Sequence, residues 1–366
     1  MQKPTRTVTS PKKFIIGSDL LSEIDEYVRA YGDHAFFICD EFILERTREQ
    51  AGAALAQAKV GASYERFGGE CTQTEIDRQL ARFKASGANV IVGIGGGKTL
   101  DTAKAVAFYA ARPVLIFPTI ASTDAPCTAL AVIYKEGGEF DRYLWLPQNP
   151  DVVLADTGIL VAAPFRFFAA GVGDALATYF EARACYLSDG VNLVNKKPSR
   201  TGLGLAELCY QLLRENVAMA ADAVRAKAAT PAFEHIIEAT IYLSGVGAEA
   251  GGLAAAHAVN NGMSAIPQLH NAQHGEKVGF GLLTQLVLEG APEEEFAEVI
   301  RIMKTVGLPL SLDEFGLTAF IEADWRRVAE IACAEGDSMA NMLRRCTPDQ
   351  VYDAMRAADA IGKRYA

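Results

Sequence analysis

The chain has 366 residues, half of them hydrophobic and 22% charged, which fits a water-soluble globular protein with room for two domains. A net charge of −10 and an isoelectric point near 5.2 exclude the basic surface that nucleic acid or an anionic membrane demands. The seven cysteines fall at irregular spacings with no Cys-x-x-Cys pair, pointing to reduced thiols rather than a disulfide framework or zinc knuckle.

Taken in order, residues 1–13 carry positive charge with no apolar stretch behind it, so no secretory signal is expected. No apolar run approaches the ~18–20 residues of a membrane helix, and the expected location is the cytoplasm. Amphipathic segments at 20–30, 42–56 and 75–85 alternate with β-type runs at 34–39 (HAFFIC), 60–67, 89–94 (NVIVGI), 114–117 (VLIF) and 152–155. Continuous apolar strands between helices predict a parallel sheet covered on both faces. From Pro164 the texture changes. Apolar residues recur at helical spacing through 167–184, 203–215, 231–245, 251–260, 277–289 and 293–306. The Gly/Ala-rich segment 244–258 predicts a helix buried among others. A short join near 162–164 places two domains close together, with a cleft of the kind small-molecule sites favour.

Residues 89–104 read NVIVGIGGGKTLDTAK and pass from strand to turn to helix. Glycines let the backbone approach a ligand, and the helix start offers free N–H groups and a positive dipole end. Gly95, Gly96, Gly97 and Lys98 thus form an anion cradle suited to a pyrophosphate. A P-loop needs glycine where Val92 stands, and a Rossmann fingerprint from Gly93 needs a small residue where Lys98 stands. Asp40 closes the strand at 34–39; a carboxylate there suits both ribose hydroxyls of an adenosine and repels a 2′-phosphate, selecting NAD over NADP.

Several longer runs carry a family likeness: GIGGGKTLDTAKA (93–105), PTIASTDAPCTAL (118–130), EFDRYL (139–144), GDALATYFEARAC (173–185), YLSGVGAEAGGLAAAHAV (242–259) and HGEKV (274–278). They resemble the glycerol dehydrogenases of the iron-containing alcohol dehydrogenase superfamily, from about residue 10 to the C-terminus. The resemblance implies an α/β fold of the dehydroquinate synthase-like type: a doubly wound NAD-binding domain over 1–162 and an all-helical metal- and substrate-binding domain over 163–366. It implies that Asp174, His257 and His274 bind a catalytic metal, zinc in this branch, and that Asp124 binds the substrate's hydroxyls. Asp40, Gly97, Lys98 and Asp101 would contact NAD, joined by Thr119, Ser122, Thr128, Leu130 and Tyr134. A homo-oligomer is also implied.

One carboxylate and two imidazoles leave open positions on a metal, where a diol can bind and be acidified before hydride passes to nicotinamide. The implied reaction converts glycerol, or a similar small 1,2-diol, and NAD⁺ to dihydroxyacetone, or the matching hydroxyketone, and NADH. The ligand types also suit Fe²⁺. Two departures stand out: Asn260 replaces the second histidine of His-x-x-His, and Ala340 stands where the family often has histidine. Three alternatives stay open. One is a dehydrogenase of another or a phosphorylated polyol, and one is a lyase. Phosphate chemistry would need a basic pocket that only Arg344–Arg345 suggest. The third is a non-catalytic NAD-binding protein.

Overall fold

Runs of Val, Ile and Phe in the first half become a parallel sheet in the computed structural model, which describes residues 5–317 and 319–365. Its strands are β1 (Lys13–Gly17), β2 (His34–Cys39), β3 (Gly61–Arg66), β4 (Val90–Gly95), β5 (Val114–Pro118) and, after an antiparallel hairpin of β6 (Leu130–Tyr134) and β7 (Phe140–Trp145), β8 (Val152–Asp156). Six of them pair in the order β1-β8-β5-β4-β2-β3, all parallel. β4, β5 and β8 are buried throughout, as is β2 beyond its first residue, because helices cover both faces. Edge strand β3 (GASYER) is half-buried and more polar. The helices are α1 (Ile24–Arg29), α2 (Glu41–Gln57), α3 (Gln73–Ser86), α4 (Gly97–Ala110) and α5 (Thr157–Ala162).

The strand order fixes where a ligand fits. From β2 the chain moves outward to β3, whereas from β4 it moves the other way, to β5. The neighbouring carboxyl ends of β2 and β4 therefore form the switch point at which open parallel sheets hold ligands. Asp40 follows β2, and Gly96 and Gly97 follow β4.

The second half is helical: α6 (Phe165–Leu187), α7 (Arg200–Arg225), α8 (Pro231–Ile237), α9 (Ser244–Gly251), α10 (Ala255–Met263), α11 (His274–Glu289), α12 (Glu293–Val306), α13 (Glu322–Ala332) and α14 (Pro348–Tyr365). Local signals set their starts. Ser199 accepts the Gly202 N–H at α7, and Thr230 accepts the Phe233 N–H at α8, where Pro231 takes the first helical position. Segment 244–258 is buried as expected but is two helices. Gly252, at φ 98°, breaks it, and a Cβ there would stand 2.5 Å from the Cys185 sulfur.

Two compact units result. One comprises Ser10–Ala121 and Ala125–Ala163; the other comprises the chain from Pro164, the residues up to Thr9 and the short segment Ser122–Asp124. The seven cysteines form no disulfide. Among the described residues no helix is long and apolar enough to cross a membrane.

Candidate metal and cofactor sites

Glycines bring three helices of the second unit into backbone contact. A Cβ on Gly173 of α6 would lie 2.3 Å from the Gly275 carbonyl oxygen of α11, and one on Gly275 only 1.7 Å from that of Ala170. Each glycine adjoins a polar residue of interest, Asp174 and His274. Gly281 does the same between α11 and α10, where a Cβ would lie 2.2 Å from the Ala256 carbonyl oxygen, next to His257. The start of α11 is locked as well. The Gln273 N–H donates to Glu276 Oε2 at 2.8 Å, and Arg166 of α6 grips that carboxylate at 2.6 and 2.8 Å.

Asp174, His257 and His274 meet at these crossings. Asp174 Oδ1 lies 3.4 Å from His257 Nε2 and 3.2 Å from His274 Nε2, and the two Nε2 atoms are 3.4 Å apart. Ligands held about 2.0–2.1 Å from a tetrahedral ion lie about 3.3–3.4 Å from one another, so the triangle has the right size for one. Asp174 is 1% exposed, and its Oδ1 makes no aligned hydrogen bond among the described residues. A buried carboxylate oxygen in that condition is costly unless something else satisfies it. These residues are also the one His/Cys/Asp/Glu group among the described residues with metal-binding spacing. Burial opposes the charge on Asp174, but the two imidazoles outweigh it and hold its pKa well below the carboxylate range.

A fourth side chain, missed in the sequence, completes the arrangement. Glu181 is fully buried on α6; its Oε1 accepts the backbone N–H groups of Ala254 (2.8 Å) and His257 (2.9 Å), and its Oε2 lies 2.6 Å from His257 Nδ1. The carboxylate therefore accepts a hydrogen bond from Nδ1–H, and in the neutral ring this is the tautomer whose Nε2 lone pair faces Asp174 and His274. Burial disfavours charge on His257, yet Glu181 and Asp174 raise its pKa well above the usual imidazole value. The signal for Glu181 was its spacing: residues 174, 178 and 181 share one helical face. Asp124 joins the same group, its backbone N–H donating to Asp174 Oδ2 at 3.2 Å. Asn260, one turn beyond His257, is buried with an Oδ1 that has no partner among the described residues, while Ala340 is exposed.

In the sheet unit, Asp40 ties the two strand ends together. Its Oδ2 accepts the Gly96 N–H at 2.8 Å, and its Oδ1 accepts the Thr99 hydroxyl. A Cβ on Gly95 would lie 2.5 Å from Asp40 Oδ2, so only glycine allows that bond. A Cβ on Gly97 would meet nothing within 4 Å; the start of α4 opens onto free space, as an anion cradle requires. Lys98 pairs with Glu70 at 2.5 Å and lies 5.0 Å over the Tyr134 ring. Thr119 is buried, and its hydroxyl has no partner among the described residues. These features suit a dinucleotide. Asp101 is differently engaged. It pairs with the buried Lys104 at 2.8 Å and accepts the Val132 N–H at 2.9 Å. Lys104 in turn donates to the carbonyls of Ala125, Thr128 and Leu130. Asp101 thus braces the segment carrying Thr128 and Leu130. Ser122 belongs to the helical unit, whereas the other residues read as cofactor contacts belong to the sheet unit.

Residues 11–157 match the iron-containing alcohol dehydrogenase family. The chain is 49% identical over 360 residues to a glycerol dehydrogenase of Escherichia coli, covering 98% of each. It is 42% identical to a glycolaldehyde reductase of Halobacterium salinarum, covering 98% of this chain and 99% of that one. The crystal structure of glycerol dehydrogenase from Schizosaccharomyces pombe superposes with a TM-score of 0.94 at 34% identity, covering 99% of this chain and 92% of that chain.

Proposed function

The chain belongs to the iron-containing alcohol dehydrogenase family, among its glycerol dehydrogenases, and from that premise we propose that it oxidises glycerol at C2 to dihydroxyacetone with NAD⁺ as hydride acceptor. The observation that carries the reading is the Asp174–His257–His274 triangle, with an unsatisfied carboxylate oxygen at one corner and Asp124 bonded to the same aspartate. We assign the metal to these three residues, whose spacing suits a single ion, and take it as Zn²⁺ from the branch of the family that the chain resembles, Fe²⁺ being the alternative for the same ligand types. We assign NAD to the sheet unit: pyrophosphate at the start of α4, ribose hydroxyls at Asp40, and Lys98, Thr119, Thr128, Leu130 and Tyr134 around it. Ser122 is assigned a cofactor contact from the family motif alone.

When bound, the ion supplies Lewis acidity that lowers the pKa of an alcohol. The chain's residues do the rest. Glu181 fixes the His257 tautomer, and Arg166 with Glu276 fixes the start of α11 and hence His274. Asp124 accepts hydrogen bonds from the diol's hydroxyls and selects vicinal hydroxyls over a plain alcohol. The carbinol carbon gives its hydride to NAD⁺, forming NADH, and the hydroxyl releases its proton to solvent water, leaving the ketone.

A homo-oligomer in the cytoplasm is part of the same proposal and is read from the family. The test is NADH formation from glycerol by the purified enzyme, abolished by a chelator and restored by Zn²⁺. An Asp174→Ala variant of undiminished activity would sink the reading, as would a preference for a monohydric alcohol. The likeness to a glycolaldehyde reductase favours one further substrate, a two-carbon hydroxyaldehyde, assayed in the reductive direction with NADH.

A further inference from the structure

Asp124 has two rotatable bonds and stands on a short segment rather than within a helix or strand. Left free, it would lose conformational entropy whenever it gripped a diol. The structure holds it from behind. Ser244 Oγ donates to Asp124 Oδ2 at 3.1 Å, and Thr178 Oγ1 lies 2.9 Å from Ser244 Oγ. An ionised carboxylate can only accept, so the polarity is fixed: Thr178 donates to Ser244, and Ser244 donates to Asp124. Both hydroxyls are buried, Ser244 at 0% and Thr178 at 1% exposure. The row of hydroxyls ends inside the protein, so it gives a proton no way out to water. Its effect is orientation.

An irregular helix brings Ser244 to this place. Between α8 and α9, residues Glu238–Leu243 form a π turn, in which the Ser244 N–H donates to the Ala239 carbonyl five residues back. One extra residue in a turn rotates everything beyond it by about 100° relative to an unbroken α-helix. The turn is well supported. The Cys209 thiol also donates to the Ala239 carbonyl, at 3.3 Å, and the Thr240 hydroxyl donates to that of Ile236 at 2.8 Å. Wide turns of this kind gather at functional sites. Thr178 follows Asp174 by four residues on α6, so the same face carries both the proposed metal ligand and the support for Asp124.

We propose that Thr178 and Ser244 are positioning residues for the substrate: they hold the Asp124 carboxylate in the orientation that receives the diol and thereby set the KM for glycerol. The inference rests on the reading of Asp124 as the residue that takes the substrate's hydroxyls, and the test separates the two. Ser244→Ala, Thr178→Val and Asp124→Ala variants of the zinc-loaded enzyme are compared for KM of glycerol, KM of NAD⁺, zinc affinity and Tm. Ser244→Ala raises the glycerol KM about tenfold, the loss expected for one hydrogen bond to a charge. Thr178→Val, which keeps shape and volume, raises it about threefold, because Ser244 retains its own donor. In both, the KM for NAD⁺, the zinc affinity and the Tm stay within twofold or a few degrees of the parent. An unchanged glycerol KM in Ser244→Ala overturns the inference, as does a parallel rise in both KM values with a fallen Tm, which marks a general structural role. An unchanged glycerol KM in Asp124→Ala overturns the prior reading of Asp124 instead.

Discussion

Replacing Glu181 by glutamine tests whether the buried carboxylate governs metal affinity. Glu181 Oε1 serves two backbone N–H groups, at 2.8 and 2.9 Å, while Oε2 faces His257 Nδ1 at 2.6 Å. Glutamine has one acceptor and one donor end and cannot meet three donors. With its oxygen toward the backbone, its NH₂ faces Nδ1; the ring proton must then move to Nε2, where the lone pair is needed for a metal. With the amide reversed, the two backbone N–H groups lose their partner at about 1–3 kcal/mol each. Loss of such an outer carboxylate costs about 10–100-fold in metal affinity, or about 1.4–2.7 kcal/mol. The assay is zinc competition between apo-protein and a colorimetric chelator at fixed pH, run beside the apo Tm of both proteins. A zinc Kd within twofold of the parent would refute the argument, because the fold would then be supplying the tautomer by other means.

Three further outcomes follow from the geometry. Gly275→Ala forces α6 and α11 apart, since its Cβ would stand 1.7 Å from the Ala170 carbonyl oxygen; stability falls by about 2–3 kcal/mol in urea unfolding, and zinc binding weakens with it. Asp40→Ala raises the KM for NAD⁺ at least about tenfold without creating useful activity with NADP⁺, because the same carboxylate holds the Gly96 N–H and the Thr99 hydroxyl; efficient NADP⁺ turnover by the single variant would contradict this. Glu75 is held by Arg78, Gln79 and the Gly68 N–H; burial opposes its charge, but these bonds win and lower its pKa below the usual carboxylate value. A lowered folded pKa contributes stability that is present above the unfolded value, about 4.3, and is lost as pH falls through the folded one. The stability gap between the parent and Glu75→Gln, measured by chemical unfolding, is therefore full near neutrality and closes on acidification below about pH 4; a gap that persists or widens in acid contradicts it.

The parts legible in the sequence were those in which one strong local signal acts. β2 is the run HAFFIC with the bounds read from its apolar residues, and the glycine turn announces itself because backbone approach demands glycine. β1 and the β6–β7 hairpin were not foreseen: β1 is half-buried at the sheet edge, and β7 exposes Phe140, Tyr143 and Trp145 and lacks a clean period of two. The single helix expected over 244–258 fails at Gly252, whose conformation answers to Cys185, a partner distant in sequence. The proposed metal residues have no local spacing signature, and only the family likeness singled them out. Glu181, by contrast, lay within reach at a helical spacing of seven from Asp174, but a buried acid reads as a salt-bridge partner until its neighbour is known to be His257.

Asp174, Thr178 and Glu181 share one face of α6, and this gives the site a common datum. A shift or tilt of that helix carries the aspartate, the hydroxyl behind Asp124 and the carboxylate behind His257 as one rigid body, so positional errors among the three do not accumulate. The contact of Gly173 with Gly275 references the second histidine to the same rod. His257 and His274 stand on α10 and α11, so the distances left to vary are those of these two helices from α6, and the glycine contacts are what hold them.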